Sequence, residues 1–364
     1  MKLTVSKDAI LEGLQNTQSI ISVRSTLPVL YNVCLKAEQD RLWLTSTDLE
    51  VTVRTSVAAK VSRTGGTTLP ARRIFSIFKE LPVSEIEIDV DDKDVATIRA
   101  GASFYKINGI SEDEFPPLPK FQGNRVYSLE QAEFRNMLQA TSYAASSDES
   151  RPMLNGVLLS FKGGKLSAVA TDGRRMAMWE QDAEMGRDME GEWIVPSKTV
   201  NELLKALKDE GKVRIQIAES QISFEFGNLL TISKLVDHAY PNFRQVIPPG
   251  SDQRISLERE LVMHAIRRVA LLLTDRSGSI TLSFSKDHLE VSAMATDVGE
   301  ARERVAIKYS GKDVTVAFNP DFLLDPLRNL SSDEISFEIS DELSPCLIRN
   351  DKPFLYVLMP MRIK

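Results

Sequence analysis

The chain has 364 residues, 42% hydrophobic and 26% charged, the proportions of an ordinary soluble protein with room for two or three domains. No apolar run reaches the roughly 18 residues of a membrane span, and the opening MKLTVSKDAI does not read as a secretory leader. A net charge of −6 argues against a protein that simply coats nucleic acid, while two distant cysteines and three histidines without ligand spacing argue against a disulfide scaffold, a zinc site or Cys/His catalysis.

In chain order, the first predicted element is an amphipathic helix in VSKDAILEGL, with Ile10 and Leu14 at helical spacing. Strand-like runs come next, broken by a Thr-Asp pair at Asp48 in LTSTDLEVTV. A second helix, PARRIFSIFKEL, ends at Leu81 and leads into the acidic run EIEIDVDDKD and then ISEDEFPPLP. The plan repeats with a helix in LEQAEFRNML, a Thr-Asp pair at Asp172, a helix in PSKTVNELLKAL ending at Leu207, and LVDHAYPNFRQVIP. It repeats again with LERELVMHAI, Asp297 and NPDFLLDPLRNL, ending at Leu330, and stops at YVLMPMRIK.

The three aspartates are 124 and 125 residues apart and the helix ends 126 and 123, too long a period for a solenoid unit of roughly 20–50 residues. We therefore expect three tandem α+β domains of one plan, each with two helices packed on antiparallel sheet, over residues 1–122, 123–249 and 250–364. The boundaries fall in the polar stretches PKFQGNR and IPPGSDQ. A serine before each first helix is read as its N-cap, with Ser128 and Gln131 as a capping box. Asn319 and Pro320 suit the cap and first turn of the last helix, which Pro326 should interrupt.

In VATDGRRMAM, Asp172 sits between Thr171 and Gly173 and is succeeded by Arg174 and Arg175. That pattern fits either a catalytic acid with an anion clamp or a strand-to-strand turn. The repeat favours the turn, because Asp48 and Asp297 precede Leu49 and Val298, so the Gly-Arg-Arg is an addition to the middle copy alone. No nucleophile–base pair, phosphate loop or metal cluster accompanies it. An enzyme using Asp172, Arg174 and Arg175 and a monomeric binding scaffold are the two alternative readings. No cofactor or metal is expected.

With this threefold plan, LYNVCL, RPMLNG, ATDGRRMA, SKLVDHAYPNFRQVIP and the terminal VLMPMR together resemble the bacterial DNA sliding clamps, the β subunits of the replicative DNA polymerase, in register from MKLTV to MPMRIK. The resemblance implies a non-enzymatic cytoplasmic processivity factor. It would be a head-to-tail homodimer closing a six-domain ring around duplex DNA, with helices lining the hole, sheets outside and no membrane contact. Its partners would be the replicative polymerase, the clamp loader and other proteins carrying short linear motifs.

Residue by residue, Arg24, Arg72, Arg73, Lys79, Arg151, Lys198 and Lys205 become phosphate contacts that position DNA without reading bases. Leu154, Thr171, Gly173, Arg174, Arg175, Met176, Pro241, Val246, Asn319, Phe322, Leu343, Val357, Met359, Pro360, Met361 and Arg362 become an adaptable cleft for partner peptides. Arg73, Ile77, Tyr105 and Ile107 would face Leu271, Leu272, Glu300 and Glu303 across the dimer contact. The chain departs from the family pattern at Arg174, Gln245, Phe322 and Pro345, where a His, an Arg, a Tyr and a Ser are expected. Pro152 and Met153 stand in place of two tyrosines.

Overall fold

The computed structural model describes residues 1–21, 26–183, 189–250, 254–274 and 278–362. Its helices are α1 (Lys7–Gln18), α2 (Ala71–Glu80), α3 (Gln131–Thr141), α4 (Ser197–Ala206), α5 (Arg259–Ala270) and α6 (Pro320–Asn329). They sit among antiparallel strands, two helices to each repeat, as the sequence pattern predicts.

The helix starts differ from expectation. Ser128 and Ser256 lie inside strands, paired with Arg214 and Ser336, and Ser6 makes no side-chain cap. The ladders of Arg125–Glu130 and Arg254–Glu258 run directly into α3 and α5, so these serines belong to the sheet. Gln131 instead reaches sideways, donating from Nε2 to the Glu210 carbonyl at 2.8 Å and accepting from the Lys208 N–H at 3.1 Å. Asn319 does cap α6, its Oδ1 accepting from the N–H groups of Asp321 and Phe322 at 2.9 and 3.2 Å.

The chain forms two compact units, Met1–Arg135 with Asn201–Leu235, and Asn136–Val200 with Val236–Lys364. The first is built on a twelve-stranded sheet, the second on an eight-stranded and a four-stranded sheet. In the first unit, Val51–Arg63, the strand after the first Thr-Asp pair, hydrogen-bonds to Leu229–Lys234, the last strand of the middle copy. In the second, Arg175–Asp182, the strand after the second pair, hydrogen-bonds to Phe354–Leu358, the last strand of the third copy. Sheet thus runs on from each copy of the repeat into the next, and the compact units divide the middle copy between them. The same two strand types recur once more as edges. Among the described residues, Gly299–Ala306 pairs only with His288–Ala295, and Ser103–Asn108 only with Val95–Ala100.

In the first unit α1 and α2 lie side by side against the sheet. Ile74 and Phe78 of α2 are completely buried among Leu3, Leu14, Leu35 and Ile98, each burial worth about 1.5–3 kcal/mol before entropic costs. Arg72, Arg73 and Lys79 are on the exposed side of that helix. In Glu85–Val90 the alternation is equally clear. Ile86, Ile88 and Val90 point inward, while Glu87 and Asp89 pair with Lys2 at 3.1 and 3.6 Å and Asp89 with Arg63 at 2.9 Å.

Candidate functional site

The Thr-Asp pair of the middle copy builds a compact turn between Lys165–Thr171 and Arg175–Asp182. Thr171 Oγ1 donates to the Arg175 carbonyl at 2.6 Å and accepts from the Gly173 N–H at 3.1 Å. Asp172 Oδ1 accepts from the N–H groups of Arg174 and Arg175 at 2.9 and 3.1 Å. Gly173 has φ of +88°, which glycine adopts without strain. The first copy repeats every one of these bonds, with Thr47 on Val51 and Leu49, Asp48 on Glu50 and Val51, and Leu49 at φ of +75°. The third copy does not. Ala295 pairs with Gly299 and the Val298 N–H donates to the Ala295 carbonyl, closing a tighter loop in which Thr296 and Asp297 make no such turn. The Thr-Asp turn expected three times therefore occurs twice.

Arg175 is the centre of the middle turn. Its Nε donates to Asp172 Oδ2 at 3.0 Å, one Nη to Asp325 Oδ2 and the other to the Tyr143 carbonyl at 2.7 Å. The guanidinium lies over the Phe322 ring, 4.2 Å from its centroid, and the side chain is only 9% exposed. The sequence suggested that Arg175 would hold a ligand's polar atoms. Three of its five N–H groups go to two carboxylates and a carbonyl, which fastens the turn to α6. Phe322, in the place of an expected tyrosine, supplies the face on which it rests.

Pro326 does not interrupt α6. A proline there removes the N–H that would bond the carbonyl four residues earlier, that of Phe322. Tyr356 from Phe354–Leu358 supplies the missing donor, its hydroxyl bonding the Phe322 carbonyl at 2.8 Å. Burial raises the phenols of Tyr356 and Tyr143, so both stay protonated. The Tyr143 hydroxyl is buried without a partner.

Around this frame lie the other expected cleft residues. Met176 pairs with Val357 across the strands and both join a buried apolar cluster with Leu158, Val169, Phe243 and Leu355, bordered by Met153, Tyr240 and Ile247. Leu154 is buried at the end of the short helical turn Pro152–Leu154. The Met359 N–H donates to the Arg174 carbonyl at 3.0 Å and the Met361 N–H to the Ala317 carbonyl at 2.7 Å, so the last described residues pass from the turn to the strand Val314–Phe318. Val246 and Met359 are 55% and 46% exposed, large apolar side chains left facing solvent beside buried neighbours. Pro241 and Arg362 are exposed and Pro360 half-buried. Leu343, 69% exposed, sits on a separate turn held by Asp341. Asp325, Tyr143 and Tyr356 were missed by sequence reasoning.

Of the expected phosphate contacts, Arg24 lies outside the described residues. Lys198 is exposed at the start of α4, while Lys205 is held 2.8 Å from Glu202. Arg151 has an Nη atom 3.6 Å from where a Cβ on Gly173 would stand and pairs with Asp148 at 3.6 Å, so it borders the middle turn. Among the expected contact residues, Tyr105 is 37% exposed, Ile107 buried, Ile77 and Leu272 half-buried and Leu271 85% exposed.

Sequence profiles of the DNA polymerase III beta subunit match this chain as N-terminal domain over residues 1–119, central domain over 128–242 and C-terminal domain over 244–362. The beta sliding clamps of Chlamydia muridarum and Pseudomonas aeruginosa are each 33% identical to it, over 100% of this chain and 99% and 100% of theirs. The crystal structure of the sliding clamp from Bartonella birtlesii, bound to griselimycin, covers 100% of both chains at 32% identity with a TM-score of 0.94. That from Bacillus subtilis does so at 28% identity and 0.93.

Proposed function

Since this chain belongs to the DNA polymerase III beta subunit family, the beta sliding clamps, we propose that it closes a ring around duplex DNA as a head-to-tail dimer. The family is one of non-catalytic processivity factors, and Asp172 accordingly serves a turn. The observation that carries the ring is the pair of unmatched strand edges. Two in-chain junctions join a strand that comes after a turn to the closing strand of the next copy. The third such strand, Gly299–Ala306, and the first closing strand, Ser103–Asn108, are left open in one chain. A heterologous contact of this kind generates a ring when its rotation closes. Residues 1–122, 123–249 and 250–364 serve as the three repeating domains of each half.

The cleft beside Gly173, Met176, Val246, Val357, Met359, Pro360 and Met361 receives a short linear peptide from the replicative polymerase, the clamp loader or another partner. The apolar cluster under Met176 and the exposed Val246 and Met359 support this reading. Arg72, Arg73, Lys79 and Lys198 meet phosphate without base readout. No helix among the described residues is long and apolar enough to cross a membrane, and a protein that acts on bacterial DNA works in the cytoplasm.

The test is topological. A protein gripping DNA through phosphates loses affinity steeply with salt, whereas an encircling ring leaves only by sliding off an end or opening. Protein loaded on closed-circular DNA is expected to withstand salt that removes directly bound protein, and one double-strand cut should release it. Loss from circles and linears at the same salt would refute encirclement.

A further inference from the structure

We propose that Met359 is a modification site, an oxidisable thioether at the peptide cleft, and that its reversible conversion to the sulfoxide by a hydroperoxide lowers affinity for partner peptides. This rests on the cleft reading above.

Solvent access sorts the methionines. Among the described residues, Met1, Met137, Met176, Met178 and Met263 are buried, and Met153, Met189 and Met361 are half-buried. Only Met294 and Met359 are exposed, at 74% and 46%. Met294 pairs with Glu300 in the hairpin of the third copy and takes no part in the cleft. Met359 directly follows Phe354–Leu358, whose Val357 and Leu358 are buried, and its N–H is tied to the Arg174 carbonyl. That bond anchors its backbone to the turn, while the side chain stays open to water. Val246, exposed beside the same apolar cluster, has no atom that a peroxide oxidises.

A thioether needs no deprotonation to react, so access decides. Its sulfur lone pair attacks the hydroxyl oxygen of the hydroperoxide, forming an S–O bond as the O–O bond breaks. The hydroxyl proton goes to the departing oxygen, which leaves as water from hydrogen peroxide or as an alcohol from an alkyl hydroperoxide. Sulfur is oxidised by two electrons and the peroxide is reduced. The two thiols are poorer targets, because the thiolate is the nucleophile. Burial pushes the Cys34 thiol up to about 11, and Cys346 is completely buried. Methionine suits an adaptable cleft by being flexible and apolar, and oxidation removes the second property. A peptide lying over the sulfoxide must strip water from its oxygen, which costs affinity unless a donor replaces that water. Sulfoxide reductases return the residue to the thioether.

The test treats the full chain with dilute hydrogen peroxide, removes the excess with catalase, and titrates a fluorescein-labelled clamp-binding peptide free of Met and Cys by anisotropy. Mass spectrometry of proteolytic fragments is expected to find an added oxygen on Met359 and on Met294. Peptide affinity should fall about tenfold, about 1.4 kcal/mol, and recover after incubation with sulfoxide reductases. Met359→Leu, compared with itself before and after peroxide, should lose less than about twofold, whereas Met294→Leu should lose as much as the parent. Bound peptide should also slow oxidation of Met359 and leave that of Met294 unchanged, a readout that needs no variant. Unaltered affinity while Met359 carries the oxygen overturns the proposal, as does a loss that persists in Met359→Leu. A chain that fails to bind the peptide before any oxidation overturns the cleft reading, and the proposal with it.

Discussion

The carbonyl of Phe322 shows how a single residue is provided for from far along the chain. Pro326 deprives it of its helical donor, and the hydroxyl of Tyr356, 34 residues on, takes the vacant place at 2.8 Å. Tyr356→Phe should therefore lower unfolding stability by about 1–3 kcal/mol, the cost of an orphaned buried acceptor. With Pro326→Ala in the background the N–H returns, and the same substitution should cost markedly less. Denaturation midpoints of the four proteins check this, and equal costs in both backgrounds would sever the proposed link. Little of this was visible in the sequence. Asn319 could be read as a cap because cap and recipients are two and three residues apart. Arg175 and Asp325 are 150 residues apart, and no local pattern announces such a partnership. Ser128 misled because a capping-box spelling ignores whether a sheet already claims the residue.

At the level of elements, one turn design serves two purposes. Thr47-Asp48 and Thr171-Asp172 close by the same hydrogen bonds, so the shared turn confers no function by itself. The middle turn differs in its attachments, an arginine fastened to α6 and a terminal segment laid alongside through Met359. The repeat and its helices were legible because 3.6-residue periodicity and a period near 125 survive divergence in side chains. The shorter third loop was not, since Asp297 keeps the spelling while the strand register around it shifts. Replacing Met361 and Pro360 together by alanine removes apolar surface where the terminal segment borders the cleft. Affinity for a clamp-binding peptide should fall by about tenfold or more, about 1.4 kcal/mol, with the dimer and the unfolding midpoint little changed. Affinity kept within about twofold, measured by fluorescence anisotropy, would place the peptide elsewhere.

For the whole molecule, a net charge of −6 and a task on DNA are compatible because holding and gripping are different things. Part of the positive charge is also unavailable. Lys205 is held by Glu202, and Lys208 lies 3.5 Å from Glu12. Lys198→Ala with Lys205→Ala should weaken direct binding to linear duplex and slow loading, yet leave the lifetime on closed circles within about twofold, because encirclement does not draw on phosphate contacts. A lifetime that shortens in proportion to the loss of direct affinity would mean that the cations, not the topology, retain the protein.

The pairing of Arg175–Asp182 with Phe354–Leu358 also dictates an order of assembly. In the eight-stranded sheet, Phe354–Leu358 is the strand that links the four drawn from the middle copy to the three drawn from the third. It is also the last of the described strands in chain order, and so is made after the rest. Until it emerges, the strands on either side have no common ladder, and the middle copy waits with an open edge for a partner more than 170 residues away in the chain. Folding of this half is therefore non-local and late, the regime in which rates are slow and exposed edges invite misassembly. The terminal strand works as a keystone, and a nascent chain arrested just short of it would hold two half-sheets with no strand to join them.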